Sequence, residues 1–295
     1  VTHSAKRAHL GCWIARNKLK EIALLQQESV PSILESEASG ETAEIYADIR
    51  STLRSSVVNL IWRNLATMPG ALRWTWSAAR PLYLGPAAGH AEAVHRTLAL
   101  PSVLELSAGA LTAAGITQPA LTDIRAILDG YHHTNALALV VLSALLEHFE
   151  PSAVEPAAAA EAAALPAEIG LPPLPPMASL PPELQRLIEE LNEFGEDTDP
   201  FLIASMYRHL AYWPPYLATI RTMLAPLQAD GRLNALTRSA RALGRAHGHV
   251  LARQLAPSRP PESLDAILAS CRRFVEHPIA RMTGICAILR RATPA

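Results

Sequence analysis

The sequence predicts an all-α fold: a tandem duplicated helical repeat forming a pseudo-twofold bundle, with a site between the halves. Three observations predict it. First, alanine and leucine dominate a chain of 295 residues that is 49% hydrophobic and 18% charged, and β-branched runs are rare, so helix is the favoured backbone state. Second, the phrase Trp62-Arg63-Asn64-Leu65-Ala66-Thr67-Met68-Pro69 returns as Tyr207-Arg208-His209-Leu210-Ala211-Tyr212-Trp213-Pro214. The pairs Trp62/Tyr207, Arg63/Arg208, Leu65/Leu210, Ala66/Ala211 and Pro69/Pro214 all stand 145 positions apart, and the offset holds to Pro81/Pro226. A sustained offset with prolines in register reads as duplication of a long helical unit. Third, the apolar residues of both phrases fall on one helical face, and proline stops each helix by removing an N–H and clashing with the preceding turn.

In chain order, residues 1–29 form a basic, mildly amphipathic extension (Lys6, Arg7, Arg16, Lys18, Lys20), read as a helix packing on the body or on a partner. The first repeat spans 30–150. It has a helix through residues 45–50, the duplicated hairpin of 57–84, a helix near 91–100, a short helix over 101–115 closed by a glycine cap, and a long helix from 119 to 150. Residues 151–182 hold nine prolines around an Ala/Glu tract and read as a linker, helical at 157–164 and extended elsewhere. The second repeat spans 183–295. Its last helices echo the first repeat at a slipped offset of 140 (127 to 267), which makes Val275 the counterpart of Asn135.

The bulk properties exclude several classes. A net charge of −1 with no charge block, and only 5% aromatics, argue against nucleic acid as a partner, because phosphate and base recognition need a basic, aromatic surface. The longest apolar run, 136–146, is too short for a bilayer and reads as a buried helix, so no membrane role is expected. Cys12, Cys271 and Cys286 lie far apart and make no metal spacing. With no signal peptide visible, they read as reduced cytoplasmic thiols.

The residues that carry a resemblance are spread along the chain. Gly40-Glu41, Tyr46, Asp48-Ile49-Arg50 and Leu53-Arg54 are followed by Arg63, Leu65-Ala66-Thr67 and Pro69-Gly70. Then come Ile127-Leu128, Asn135, Ala144-Leu145 and Glu147, then Ala204-Ser205, Leu210-Ala211 and Trp213-Pro214, then Arg273-Phe274. Over roughly residues 30–290 this pattern resembles the group I 2-haloacid dehalogenases, an all-helical family acting on short 2-halocarboxylic acids. The resemblance implies a pseudo-dimer of helical repeats and direct hydrolysis. An Asp activates water, which displaces halide with inversion and without a covalent intermediate, and an Asn helps to position that water. Asn135 falls on the Asn position. The Asp position falls on Met206, whose thioether cannot take a proton near neutral pH. The family's pocket aromatics are replaced by Val57 and Leu60, and Ser205 is kept.

The candidate catalytic residues are Asn135, His132 and His209. His132 and Tyr131 share a helix face with Asn135, and His209 lies one turn beyond Met206. The competing reading makes the histidines satisfied helix-surface groups. Candidate substrate contacts are Ser205, Met206, Val57, Leu60, Tyr131, Tyr207, Val275, Arg63 and Arg208. The recurring arginines read either as structural, for instance pairing with Asp48, or as anion donors. Tyr212, Trp213, Trp74 and Trp76 read as core. Adjacent His132 and His133 point to different faces, and the His247-Gly248-His249 run is common on surfaces, so no metal and no cofactor are expected. The acidic cluster Glu193, Glu196, Asp197 and Asp199 reads as a helix cap.

Three functions remain open. The first is an SN2-type displacement at an sp3 carbon by a nucleophile within the substrate, closing a ring such as an aziridine or epoxide and expelling halide, sulfate or phosphate. The second is a hydrolytic dehalogenase with a relocated base. The third is a non-catalytic relative that binds a small acid or a protein. The partner is in each case foremost a small molecule; a homodimer or protein partner is left open.

Overall fold

The computed structural model describes residues 30–168, 170–195 and 202–294. The extension at 1–29, Cys12, and Glu196, Asp197 and Asp199 of the acidic cluster lie outside the described residues. Among the described residues there are helices and no strands. In order they are α1 (Gly40–Leu53), α2 (Leu60–Leu65), α3 (Ala71–Leu84), α4 (Ala87–Thr97), α5 (Ala108–Ala113), α6 (Gln118–Phe149), a 3₁₀ turn (Met177–Ser179), α7 (Pro182–Asn192), α8 (Ser205–Leu210), α9 (Pro214–Ala229), α10 (Arg232–Ala252), α11 (Leu264–Phe274), a π turn (Val275–Ile279) and α12 (Ala280–Ala292). No helix among the described residues is long and apolar enough to cross a membrane.

The 32 residues of α6 form the spine. Its start is set by Thr117, whose side chain accepts from the Ala120 N–H, and by Pro119 in the first turn, where a missing N–H costs nothing. α6 packs along α10 and α12, and the α10 seam is close because α10 offers glycines. A Cβ on Gly248 would lie 2.6 Å from Ser143 Cβ, and one on Gly244 would lie 2.8 Å from Leu139 Cδ1. The His-Gly-His run is therefore a packing feature.

Apart from α5, the helices after residue 204 follow an order like that of the helices from residue 60. A six-residue helix (α2, α8) precedes a longer one (α3, α9), then another (α4, α10), and a long helix ends each half (α6; α11 through α12). Pro69 and Pro214 stand at the break after the short helices, as expected, whereas Pro81 and Pro226 sit inside α3 and α9. In the last helix Pro278 lies within the π turn. Widening the turn accommodates a residue that cannot donate to the helix ladder.

Other details depart from expectation. The helix read at 91–100 is α4, starting at Ala87. The helix read over 101–115 is only the six residues of α5. Arg80, not an arginine of the repeat, grips Asp48 in a two-pronged pair at 2.7 and 3.0 Å, and Trp76 Nε1 donates to the same carboxylate at 2.6 Å. The Arg80 hydrogen bond chiefly holds the Asp48 carboxyl below its usual range. Trp74 and Trp76 are core, with Trp76 edge-on to Trp62 at 5.2 Å, but Tyr212 is exposed.

The linker has no helix at 157–164. An eight-residue alanine tract is too short to repay nucleation, and the flanking prolines favour extended backbone. Instead the linker is strapped to the body. Ala157 N–H donates to Ala246 O at 3.0 Å, Arg54 donates to Pro166 O, and Leu171 N–H donates to Ser56 Oγ at 2.7 Å. Gly89 lets it approach, since a Cβ there would lie 1.9 Å from the Glu161 carbonyl.

Candidate active site

A cavity of about 690 Å³ lies where α2, α6, α8 and the π turn converge under the linker. α6 contributes Tyr131 and Asn135, one turn apart on one face. α8 contributes Ser205, Met206, Arg208 and His209, and the segment entering α2 contributes Val57, Leu60 and Arg63. The short helices α2 and α8 both line the cavity.

The polar groups form a chain. Ser205 lines the cavity beside Tyr131. Tyr131 Oη lies 2.6 Å from His209 Nδ1, and His209 Nε2 lies 3.0 Å from the Pro172 carbonyl. A carbonyl only accepts, so Nε2 carries the proton and Nδ1 accepts from the tyrosine. Burial pushes the Tyr131 phenol up. Burial also holds His209, which is 0% exposed, down to about 4, and the Arg208 and Arg63 charges push it the same way. Both rings are thus neutral in the empty cavity. Asn135 is 7% exposed and its Nδ2 has no protein partner. A buried amide donor without a partner costs about 1–3 kcal/mol, so this one is poised for a ligand.

Met206 is fully buried on the cavity wall. The carboxylate lining the cavity among the described residues is Glu35, which sequence reasoning missed. Both its oxygens are engaged: Oε2 with Arg50 at 2.6 Å and Oε1 with the Val58 N–H at 2.8 Å. Also missed were the linker residues 171–178 and Pro278 of the π turn. A proline run offers carbonyl acceptors and few donors, and that was the available signal: Pro172, Pro173 and Pro175 accept from His209, Tyr212 and Arg208.

Three expected residues lie elsewhere. His132 faces a second cavity of about 610 Å³ on the other side of α6. There it stacks on His95, ring centroids 3.5 Å apart, and burial holds it near 3. Being next to Tyr131, it is turned about 100° around the helix. Tyr207 is wholly buried, with no partner for its hydroxyl, and Val275 is buried beside the cavity rather than lining it. His90 and His247 pair in the core, Nδ1 to Nδ1 at 2.9 Å. Among the described residues no three His, Cys, Asp or Glu side chains gather as a metal ion requires.

No family model matches the chain. It is 30% identical to a configuration-inverting 2-haloacid dehalogenase of Alcaligenes xylosoxydans xylosoxydans over 73% of this chain and 76% of that one. The chain belongs to the all-helical, group I 2-haloacid dehalogenase family. A second configuration-inverting 2-haloacid dehalogenase, from Pseudomonas sp. (strain 113), is 26% identical over 84% of this chain and 87% of its own. Among solved structures, a D-2-haloacid dehalogenase mutant superposes with a TM-score of 0.66 at 18% identity. The complex of a D-2-haloacid dehalogenase mutant with D-2-CPA gives 0.64 at 19%. Each covers 90% of this chain and 96% of the other, and this likeness fixes the fold. The protein is a 2-haloacid dehalogenase-like enzyme.

Proposed function

We propose that this dehalogenase-like enzyme displaces a leaving group from an sp3 carbon of a small anionic substrate, using a nucleophile that the substrate itself carries. The observation behind this reading is the cavity's proton acceptor. On the sequence resemblance Met206 falls on the position of the family's water-activating Asp, and the acceptor within reach is His209 through Tyr131. Bulk water gives up its proton with a pKa near 15.7, a poor match for an imidazole held near 4. A substrate amine attacks as the free base and turns acidic only as its new bond to carbon forms. A weak acceptor then suffices.

In this reading the amine bonds to the carbon from behind, and the carbon–leaving-group bond breaks with its electron pair on the departing halide, sulfate or phosphate. The nucleophile's proton passes to Tyr131 as the Tyr131 proton moves to His209 Nδ1. Asn135 and Ser205 orient the substrate, and Arg63 and Arg208 supply positive potential. Holding both reacting atoms in one molecule supplies much of the acceleration, since effective molarities can reach about 10⁵–10⁸ M. The product is a small ring such as an aziridine. An open cavity, lined rather than filled by Met206, Leu60 and Val57, favours an enzyme over a non-catalytic relative.

Hydrolysis with a relocated base is the second reading, and two observations favour it: both curated relatives are 2-haloacid dehalogenases, and Glu35 lines the cavity. Turnover of a 2-halo acid carrying a neighbouring amine, in H₂¹⁸O, separates the two. A cyclised product without ¹⁸O supports intramolecular displacement, and a 2-hydroxy acid carrying ¹⁸O overturns it. We also infer that residues 30–150 and 183–295 are two copies of one repeat about a pseudo-twofold, joined by 151–182; the recurring helix order supports this.

A further inference from the structure

The cavity is far too large for a two- or three-carbon acid. At roughly 30 Å³ per non-hydrogen atom, the volume share of a water molecule, 2-chloropropanoate occupies about 180 Å³, while the cavity measures about 690 Å³. That is the size range of pockets that enclose drug-sized ligands, roughly 300–1,000 Å³. The lining is predominantly apolar. Asn135, Tyr131, Ser205 and His209 line the cavity where α6 and α8 meet, and the linker roofs it, with Leu171, Leu174 and Met177 among the lining residues.

The roof is fixed rather than loose. Its carbonyls take the His209, Tyr212 and Arg208 donors at 3.0, 2.8 and 3.0 Å, and Ser56 holds it at Leu171. The residue that fixes the His209 tautomer is therefore part of the wall that shapes the cavity.

We propose that the natural substrate is an amphipathic acid: an anionic head bearing the leaving group at the Asn135–Tyr131 end, and an apolar body of about six or more further carbons under the linker roof. The linker segment 171–177 is its specificity-determining element. This rests on the functional reading above for the head group, and on cavity size and roof chemistry for the body.

The test uses unreactive 2-hydroxy acids, so that binding is read without turnover. Affinity of the full chain for 2-hydroxypropanoate, 2-hydroxybutanoate, 2-hydroxyhexanoate and 2-hydroxyoctanoate is measured by calorimetry. Transfer of each methylene from water to an apolar wall predicts a gain of about fourfold per carbon. Leu174→Ala should reduce the octanoate-to-propanoate affinity ratio several-fold, and Leu174→Trp, which fills the roof space, should collapse it towards one. The wild-type series decides the matter alone if a variant fails to fold. Affinity that is flat or falls beyond three carbons overturns this inference and leaves the displacement reading standing. Failure of every acid to bind overturns both.

Discussion

Lowering the pH should unfold this protein through its buried histidines, and the size of the effect follows from where they sit. His209 is 0% and His247 4% exposed, and burial holds each near 4 against an ordinary 6.5. Between those values the unfolded chain binds a proton that the folded chain refuses, so stability falls as pH falls. The contribution is intact above pH 6.5, is lost progressively between 6.5 and about 4, and changes no further below. Each group costs about 1.4 kcal/mol per pH unit in that window. From pH 7.5 to 5 this is about 2 kcal/mol each, or about 4 kcal/mol for the two. Against a typical total of 5–15 kcal/mol, that is enough to be decisive. His95 and His132, also held low, add in the same direction.

Urea unfolding at pH 7.5, 6 and 5 measures this directly. His209→Gln should shrink the drop by about 2 kcal/mol. A saturating 2-hydroxy acid should do so in part, because an anion near Arg63 and Arg208 offsets the charges that press on His209. A change below about 1 kcal/mol between pH 7.5 and 5, or an unchanged drop in His209→Gln, would show that the imidazoles are not held neutral as the geometry requires.

Three further outcomes are expected. Gly248→Ala should lose about 1–3 kcal/mol by overpacking against Ser143, read by denaturant midpoint, and should lower turnover by shifting α6 and Asn135. Tyr131→Phe should cut kcat about 10²–10⁴-fold by severing the path to His209, with KM changed far less; equal kcat would remove Tyr131 from the proton path. Met206→Asp should start or raise hydrolysis of 2-halo acids, with ¹⁸O from solvent in the product; no solvent oxygen would mean that this position does not face the attacking side.

Much of the site was legible because it rides on the duplicated phrase. Arg63 and Arg208, Ser205, Met206 and His209 sit at fixed places in two short helices, and Asn135 and Tyr131 follow from one helical face of α6. The failures have definite causes. His132 was placed by its i, i+3 spacing to Asn135, but at about 100° per residue it lies about 60° beyond Asn135, on the side away from Tyr131, and Tyr207 is turned about 100° from its neighbour Met206. Val275 was placed by carrying the 140-residue offset forward from Ile267, whereas Phe274 just before it and Pro278 within the π turn line the cavity. The roof was signalled only by its proline run. Which of its carbonyls meet His209 and Arg208, and which of its side chains line the cavity, is set by where the linker is pinned.

The same electrostatics bear on why a weak acceptor belongs here. Arg63 and Arg208 make protonation of His209 costly. On the displacement reading, a bound anionic head works against the two guanidiniums, and His209 becomes a better base while the nucleophile is in place. Pro172 keeps the Nε2 proton where it is throughout, so the gain falls on Nδ1, the nitrogen facing Tyr131. A carboxylate base differs in carrying its own negative charge, which would oppose an anionic head. A neutral acceptor flanked by fixed cations ties base strength to occupancy, and that suits a reaction whose nucleophile arrives only with the substrate.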